Sequence, residues 1–400
     1  VIKTAIILAQ NEKGLQPLFG IPAVRRLALL VLKMGVETIH VIGDHGALTR
    51  VLSDLLPAEA IHDASNEETM RLVLAGLTYP DEERLLIVPA NIVIDRHSLA
   101  NFIDAGGKRA LYCMKAVNLD GSRGLCLIGH SDLDATLHFL RPSDESRINE
   151  TPEGMAFHSS TSGLPFAINS GADAKLAEAR LIEALALQTE ATDGFLARHV
   201  DRRVSRFFSG LLAHTRITPN QITFLGVTIG LLGAFLLSRP GYWHPLIGSL
   251  LFLFCVTVDG VDGEVARLKL KESSFGHYLD IISDNMVNIA VFIGIAFGLY
   301  QDSGNAGYLR ALFFLLGGFA LCSVAVYQCI LRRSTEELEQ SPGSLRIMKL
   351  ATNRDFAYLV VAFALFYRLD WFLMGTAVGT YLFAATLWTI YLYEKWTSVS

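Results

Sequence analysis

The sequence predicts a two-domain chain, an N-terminal α/β domain followed by an all-α membrane domain of six transmembrane helices. Residues 1–190 mix charged and apolar residues and alternate short apolar runs with amphipathic stretches. From about Phe207 onward, apolar runs near the ~20 residues that a bilayer demands dominate. A hydrophobic content of 51% over 400 residues suits a half-soluble, half-membrane chain better than one globule. A net charge of −5, with no basic block carrying interleaved aromatics, argues against a nucleic-acid binder.

In chain order, residues 3–9 read as a buried strand, 21–35 as a helix and 38–43 as a second strand. Helices are expected near 47–55 and 67–77, and a strand at 85–88. Alternating strands and helices predict a mostly parallel sheet covered on both faces. The apolar run at 2–9 is too short, and lacks the basic flank and cleavage site, for a cleavable signal peptide.

Residues 191–216 predict an amphipathic connector helix. Phe195, Leu196, Val200, Val204, Phe207, Phe208, Leu211 and Leu212 oppose Arg198, Asp201, Arg202, Arg203 and Arg206. This pattern suits a helix on a membrane surface or an ordinary inter-domain helix. The membrane domain then covers 217–400, with Thr218-Pro219-Asn220-Gln221 opening its first helix.

Six spans are drawn at 221–237, 245–268, 275–300, 309–331, 356–367 and 371–393. Arg202, Arg203, Arg206, Arg216, Arg267, Lys269, Lys271, Arg332, Arg333, Arg346, Lys349 and Arg354 fall on one side. The other side carries Arg239, Arg310 and Arg368. Positive charge concentrates on the cytoplasmic face, which puts the N-terminal domain and the C-terminus there. Gly226, Gly230 and Gly233 share a face suited to close helix packing. The five cysteines form no CxxC or Cys/His metal spacing, and the histidines form no zinc pair. His277, beside Gly276, is a weaker acid/base candidate.

The chemistry concentrates between Asp259 and Asp284. Asp259 and Asp262 lie three apart, and Asp280 and Asp284 four apart, so each pair shares a face if its segment is helical. Intramembrane carboxylates are expensive, and facing pairs make an all-oxygen site for Mg²⁺ or Mn²⁺. Gly263, Ala266 and Gly276 leave room for a flat ligand, and the planar fork of Arg267 suits a phosphate. The plainer alternative makes these aspartates helix caps or loop charges, as Asp259-Gly260 would allow.

The stretch resembles the DxxDGxxARx(8)GxxxDxxxD signature of the CDP-alcohol phosphotransferases, with every position filled. The resemblance implies a six-helix fold in which an acceptor hydroxyl attacks the β-phosphate of a CDP-alcohol and CMP leaves. It implies Asp259, Asp262, Asp280 and Asp284 as ligands of two metal ions, with Asp280 and Asp284 catalytic and Asp284 the candidate base. Asp259, Gly263, Ala266, Arg267 and Gly276 would bind the CDP moiety. It also implies a homodimer. Thr218-Pro219-Asn220 with Thr223 resembles the opening of that family's first helix. Arg332, Arg333, Lys349 and Arg354 either hold an acceptor phosphate or express the positive-inside pattern.

The N-terminal part resembles sugar-phosphate nucleotidyltransferases through residues 5–9, 16–22 and 86–88. It departs from them at Gln10-Asn11-Glu12-Lys13-Gly14, where working members carry a Gly-rich loop with an Arg. Gln16 replaces their Lys, and Pro89-Ala90-Asn91 lacks their metal-binding Asp. The domain is therefore read as a non-catalytic relative. The layout resembles bifunctional fusions in which a cytidylyltransferase makes CDP-inositol and the membrane domain joins it to inositol phosphate. That makes an inositol phosphate or another polar alcohol the candidate acceptor. An active N-terminal cytidylyltransferase and a cation transporter using the same carboxylates are the rival functions.

Overall fold

A computed structural model of the chain describes residues 2–9, 12–64, 84–106, 111–114, 116–118, 124–129, 155–158, 163–190, 201–328 and 355–397. The chain divides into two compact units, Val1–Leu185 with Leu268–Leu270, and Ala186–Arg267 with Lys271–Ser400.

The first unit is built on β1 (Thr4–Ala9), whose six residues are all buried. After a 3₁₀ turn at Glu12–Leu15, β2 (Pro17–Leu18) and β3 (Ile21–Pro22) pair antiparallel. Then follow α1 (Ala23–Lys33), β4 (Thr38–Gly43), α2 (His45–Leu52), β5 (Ile61–Asp63), β6 (Arg84–Pro89) and β7 (Ile92–Val93). The unit continues with α3 (Arg96–Gly106), β8 (Leu111–Met114), β9 (Leu125–Gly129), β10 (Met155–His158), β11 (Phe166–Ala167) and α4 (Gly171–Glu190), whose last five residues fall in the second unit. The helix expected near 67–77 lies outside the described residues.

Seven strands form one sheet in the order β10-β8-β9-β6-β1-β4-β5. β1 sits parallel between β4 and β6, pairing Ile6 with both His40 and Ile87. A central strand covered on both faces reads as continuous apolar sequence, as β1 does. The sheet is more mixed than the alternation predicts, because β9 runs antiparallel to both β6 and β8. The β9 sequence Leu-Cys-Leu-Ile-Gly has no polar alternation that would reveal its direction. Cys113 and Cys126 face each other across β8 and β9 as free thiols, Sγ to Sγ 2.7 Å.

The second unit is helical, comprising α5 (Arg202–Ala213), α6 (Pro219–Leu237), α7 (Trp243–Leu268), α8 (Ser274–Ser303), α9 (Gly307–Val326), α10 (Phe356–Leu365) and α11 (Leu369–Thr397). Five of these, α6 to α9 and α11, are long and apolar enough to cross a membrane. The unit makes the chain an integral membrane protein. The expected span at 356–367 appears as the ten-residue α10, about 15 Å long at 1.5 Å per residue and shorter than a bilayer core. Residues 329–354 lie outside the described set, as does 191–200 of the expected connector.

Glycines bring α6, α7 and α8 together. A Cβ on Gly233 would stand 2.8 Å from the Gly248 carbonyl oxygen, and one on Gly248 2.6 Å from that of Gly233. A Cβ on Gly294 of α8 would collide with the Ala234 carbonyl oxygen of α6. Phe252, Val291, Leu315 and Leu373 then fill the core between helices.

Candidate active site

Only five residues separate α7 from α8. Leu270 takes a left-handed conformation (φ 53°), and the Lys271 N–H donates to the Ala266 carbonyl (2.8 Å). Ser273 caps α8, its hydroxyl accepting from the Gly276 N–H at 3.0 Å. This tight reversal faces the two Asp-bearing segments toward each other. Both are continuous helix, which sets aside the cap-and-loop alternative for these aspartates.

Asp259 of α7 and Asp280 and Asp284 of α8 each offer a carboxylate oxygen within 4.8 Å of the others. Asp259 and Asp280 are half-buried and Asp284 is exposed. Three converging carboxylates repel one another unless a cation lies among them, and an all-oxygen donor set fits a hard divalent ion.

Asp262 is not one of that trio. It is 6% exposed, and its Oδ2 accepts a short hydrogen bond from the Thr223 hydroxyl of α6. It lines a cavity of about 230 Å³ together with Gly263, Ala266, Arg267, Gly276 and Asp280. Four of the five residues that the resemblance assigns to the CDP moiety therefore line this cavity, the fifth, Asp259, lies in the trio, and Asp280 belongs to both cavity and trio. A Cβ on Gly276 would stand 3.6 Å from Asn220 Oδ1 and 3.2 Å from Ser273 Oγ, so the absent side chain keeps the cavity open. Asn220, Glu272 and His277 also line it. Half-buried Arg267 has no hydrogen bond from its buried Nε among the described residues. Arg332, Arg333, Lys349 and Arg354 lie outside the described residues.

Two features escape the sequence reading. Thr223 was part of a helix-opening motif, and its hold on Asp262 depends on how α6 packs on α7. Glu264, inside the motif but unassigned by it, is 4% exposed. It accepts from Arg202 Nη1 (2.7 Å), Ser205 Oγ (2.9 Å) and Ser209 Oγ (2.6 Å), all on α5. The i, i+3, i+7 spacing of Arg202, Ser205 and Ser209 along one face of α5 is the one signal that could have found it. At the start of α5, Asp201 Oδ1 accepts from Tyr358 OH (2.5 Å) and Thr257 Oγ1 (3.3 Å). α6 itself opens with a capping box between Thr218 and Gln221 and Pro219 in its first turn.

Residues 216–392 match the family model described as CDP-alcohol phosphatidyltransferase. A "Bifunctional IPC transferase and DIPP synthase" of Aquifex aeolicus is 36% identical over 107 residues, covering 27% of this chain and 24% of that protein. A protein of the same description from Archaeoglobus fulgidus is 31% identical over 175 residues, covering 43% of this chain and 33% of that one. The matches thus span a third or less of these relatives. The inositol-1-phosphate CTP transferase structure from T. maritima aligns over 45% of this chain and 95% of its own, with 13% identity and a TM-score of 0.34.

Proposed function

We propose that this chain, whose residues 216–392 match the CDP-alcohol phosphatidyltransferase family model, transfers a substituted phosphate from a CDP-alcohol to an acceptor hydroxyl and releases CMP. The observation that carries this is the carboxylate trio opening onto a cavity walled by Gly263, Ala266, Arg267 and Gly276. Asp259, Asp280 and Asp284 would hold divalent cations, Mg²⁺ or Mn²⁺ and two in number, with Asp262 adding the oxygen that Thr223 leaves open. Such ions supply charge neutralisation at the diphosphate. Arg267 binds a donor phosphate through its planar fork. The small residues admit the nucleotide against helix backbone. Asp284, the exposed member, accepts the acceptor's proton. The acceptor oxygen then bonds to the β-phosphorus, the bond from that phosphorus to the bridging oxygen breaks, and CMP departs.

The acceptor is an inositol phosphate or another polar alcohol, in phospholipid or polyol-phosphate synthesis. The wider membrane reading has six spans, the N-terminal unit and C-terminus cytoplasmic, and a homodimer. The N-terminal unit is proposed as non-catalytic. Its cavity of about 180 Å³ is lined by Glu12 and Asp44, and Asp44 already caps α2 by accepting from Gly46 (2.9 Å) and Ala47 (3.2 Å) N–H groups. A helix terminus filled by a carboxylate, beside a second acid, opposes a triphosphate.

The test is metal-dependent CMP release by the full chain in liposomes, with CDP-inositol, CDP-diacylglycerol and CDP-glycerol as donors. Asp280→Asn and Asp284→Asn are expected to abolish release while the melting temperature holds. Turnover retained by both variants refutes the reading. Pyrophosphate release from CTP by the Asp284→Asn chain, supplied with an inositol phosphate, would overturn the non-catalytic assignment of the first unit.

A further inference from the structure

The helical unit has a second cavity, about 340 Å³ against about 230 Å³ beside the carboxylates. It lies at the other end of the same helices. Asp302, on its wall, is 22 residues beyond Asp280 on α8, or about 33 Å at 1.5 Å per residue. Its floor is apolar, from Leu237, Ile295 and Leu299, and its rim carries Arg239 and Arg368.

The sequence places only Arg239, Arg310 and Arg368 in the loops at this end, and two of the three line this cavity. Neither forms an ion pair among the described residues. The acids nearby are engaged otherwise. Asp302 accepts from the Gly241 N–H (3.1 Å) and from the Tyr367 hydroxyl. Asp370 occupies the first turn of α11, where the helix dipole favours a negative charge.

Each guanidinium lies over an aromatic ring, Arg239 4.4 Å from the Phe235 centroid and Arg368 5.6 Å from that of Trp371. Stacking fixes the plane of the fork and leaves its N–H edge open to an oxyanion. Trp243, Tyr367 and Trp371, exposed at 67%, 53% and 65%, surround the same end of the bundle. Aromatic belts of this kind mark the depth of lipid head groups.

We propose that this cavity binds the head group of an anionic glycerophospholipid, its phosphate on Arg239 and Arg368 and its glycerol over the apolar floor, in the leaflet remote from the carboxylate trio. The site is independent of the transferase reading and stands or falls without it.

Native mass spectrometry of the full chain in detergent, titrated with phosphatidylglycerol, tests it. The wild-type chain is expected to retain a lipid adduct, and Arg239→Gln/Arg368→Gln to need about tenfold or more lipid for the same occupancy. Arg310→Gln, which removes a cation from the same end but not from the cavity, controls for bulk charge and is expected to match wild type. Arg239→Lys/Arg368→Lys keeps the charge without the fork, and intermediate binding supports the site. Equal occupancy in wild type and the Gln double variant overturns the proposal. So does displacement of the lipid by equimolar inorganic phosphate, which would make this a free-anion site.

Discussion

Glu264 gives the sharpest test of how α7 is held. Its carboxylate receives three hydrogen bonds from α5, and the Arg202 and Glu264 side chains keep only 17% and 5% of their exposure. Replacing Glu264 with Met removes the carboxylate that Arg202, Ser205 and Ser209 all bond to. Breaking a buried pair in this way costs about 3–5 kcal/mol, which for a unit of this size lowers the melting temperature on the order of 10 °C. Removing both charges together is far milder, because apolar side chains of similar volume do not strand a charge. Ser205 and Ser209 can then return their hydroxyls to carbonyls of their own helix. The expectation is a large loss in Glu264→Met and recovery of most of it in Arg202→Met/Glu264→Met. Tryptophan fluorescence of the detergent-solubilised chain is the assay, since Trp243, Trp371, Trp388 and Trp396 are the chain's four tryptophans and all lie in the helical unit. A single variant that melts like wild type, or a double variant no better than the single, refutes the clamp.

In the first unit, His40 Nδ1 and His62 Nε2 lie 3.0 Å apart, and burial holds both below the ordinary histidine range, with His62 adding repulsion at His40. Because the folded values lie below the unfolded ones, stability is full above about pH 6.5 and falls as pH drops through and below that point. Melting temperature against pH should slope in wild type and flatten in His40→Gln/His62→Gln; equal slopes defeat this. Gly294→Val drives a side chain into the Ala234 carbonyl of α6 and is expected to cost about 1–3 kcal/mol, read by the same fluorescence melt; an unchanged melt would show that the helices are not so closely set. Thr223→Val removes the hydroxyl donor from Asp262. A hydrogen bond to a charged group is worth about 1.5–3 kcal/mol, so CMP release should fall about tenfold or more; an unchanged rate would show that Thr223 does not position Asp262.

Legibility in the sequence followed burial. The strands β1, β4 and β6 appear within a residue or so of the runs that predict them, because strands inside a covered sheet are largely apolar. β8 and β9 gave no such purchase. They are short, and their antiparallel pairing is a matter of chain path rather than composition. α8 runs to Ser303, beyond its apolar stretch, because Gly304 supplies the left-handed residue (φ 67°) that ends it. Hydropathy has no term for such a stop. Glu264 was hidden for a different reason. Its partners lie some sixty residues earlier in the chain, and a carboxylate on a helix near a membrane looks the same in sequence whether it faces water or three donors.

The spacing of the four aspartates shows what periodicity can and cannot decide. Residues three or four apart share a helix face, which predicts two pairs and suggests one quartet. Yet three residues advance about 4.5 Å along the axis and four about 6 Å, so a shared face does not by itself bring two carboxylates to one point. The trio accordingly takes one carboxylate from α7 and two from α8, while Asp262 moves one turn on, to the cavity wall with Arg267 and Gly276. Asp280 alone belongs to both. A motif that reads as one site on a helical wheel is thus drawn out along the helix, with the carboxylate trio at one end and the cavity wall at the other sharing a single carboxylate. The fixed interval from Gly276 to Asp280 and then Asp284, one turn at each step, is what keeps the two ends in contact.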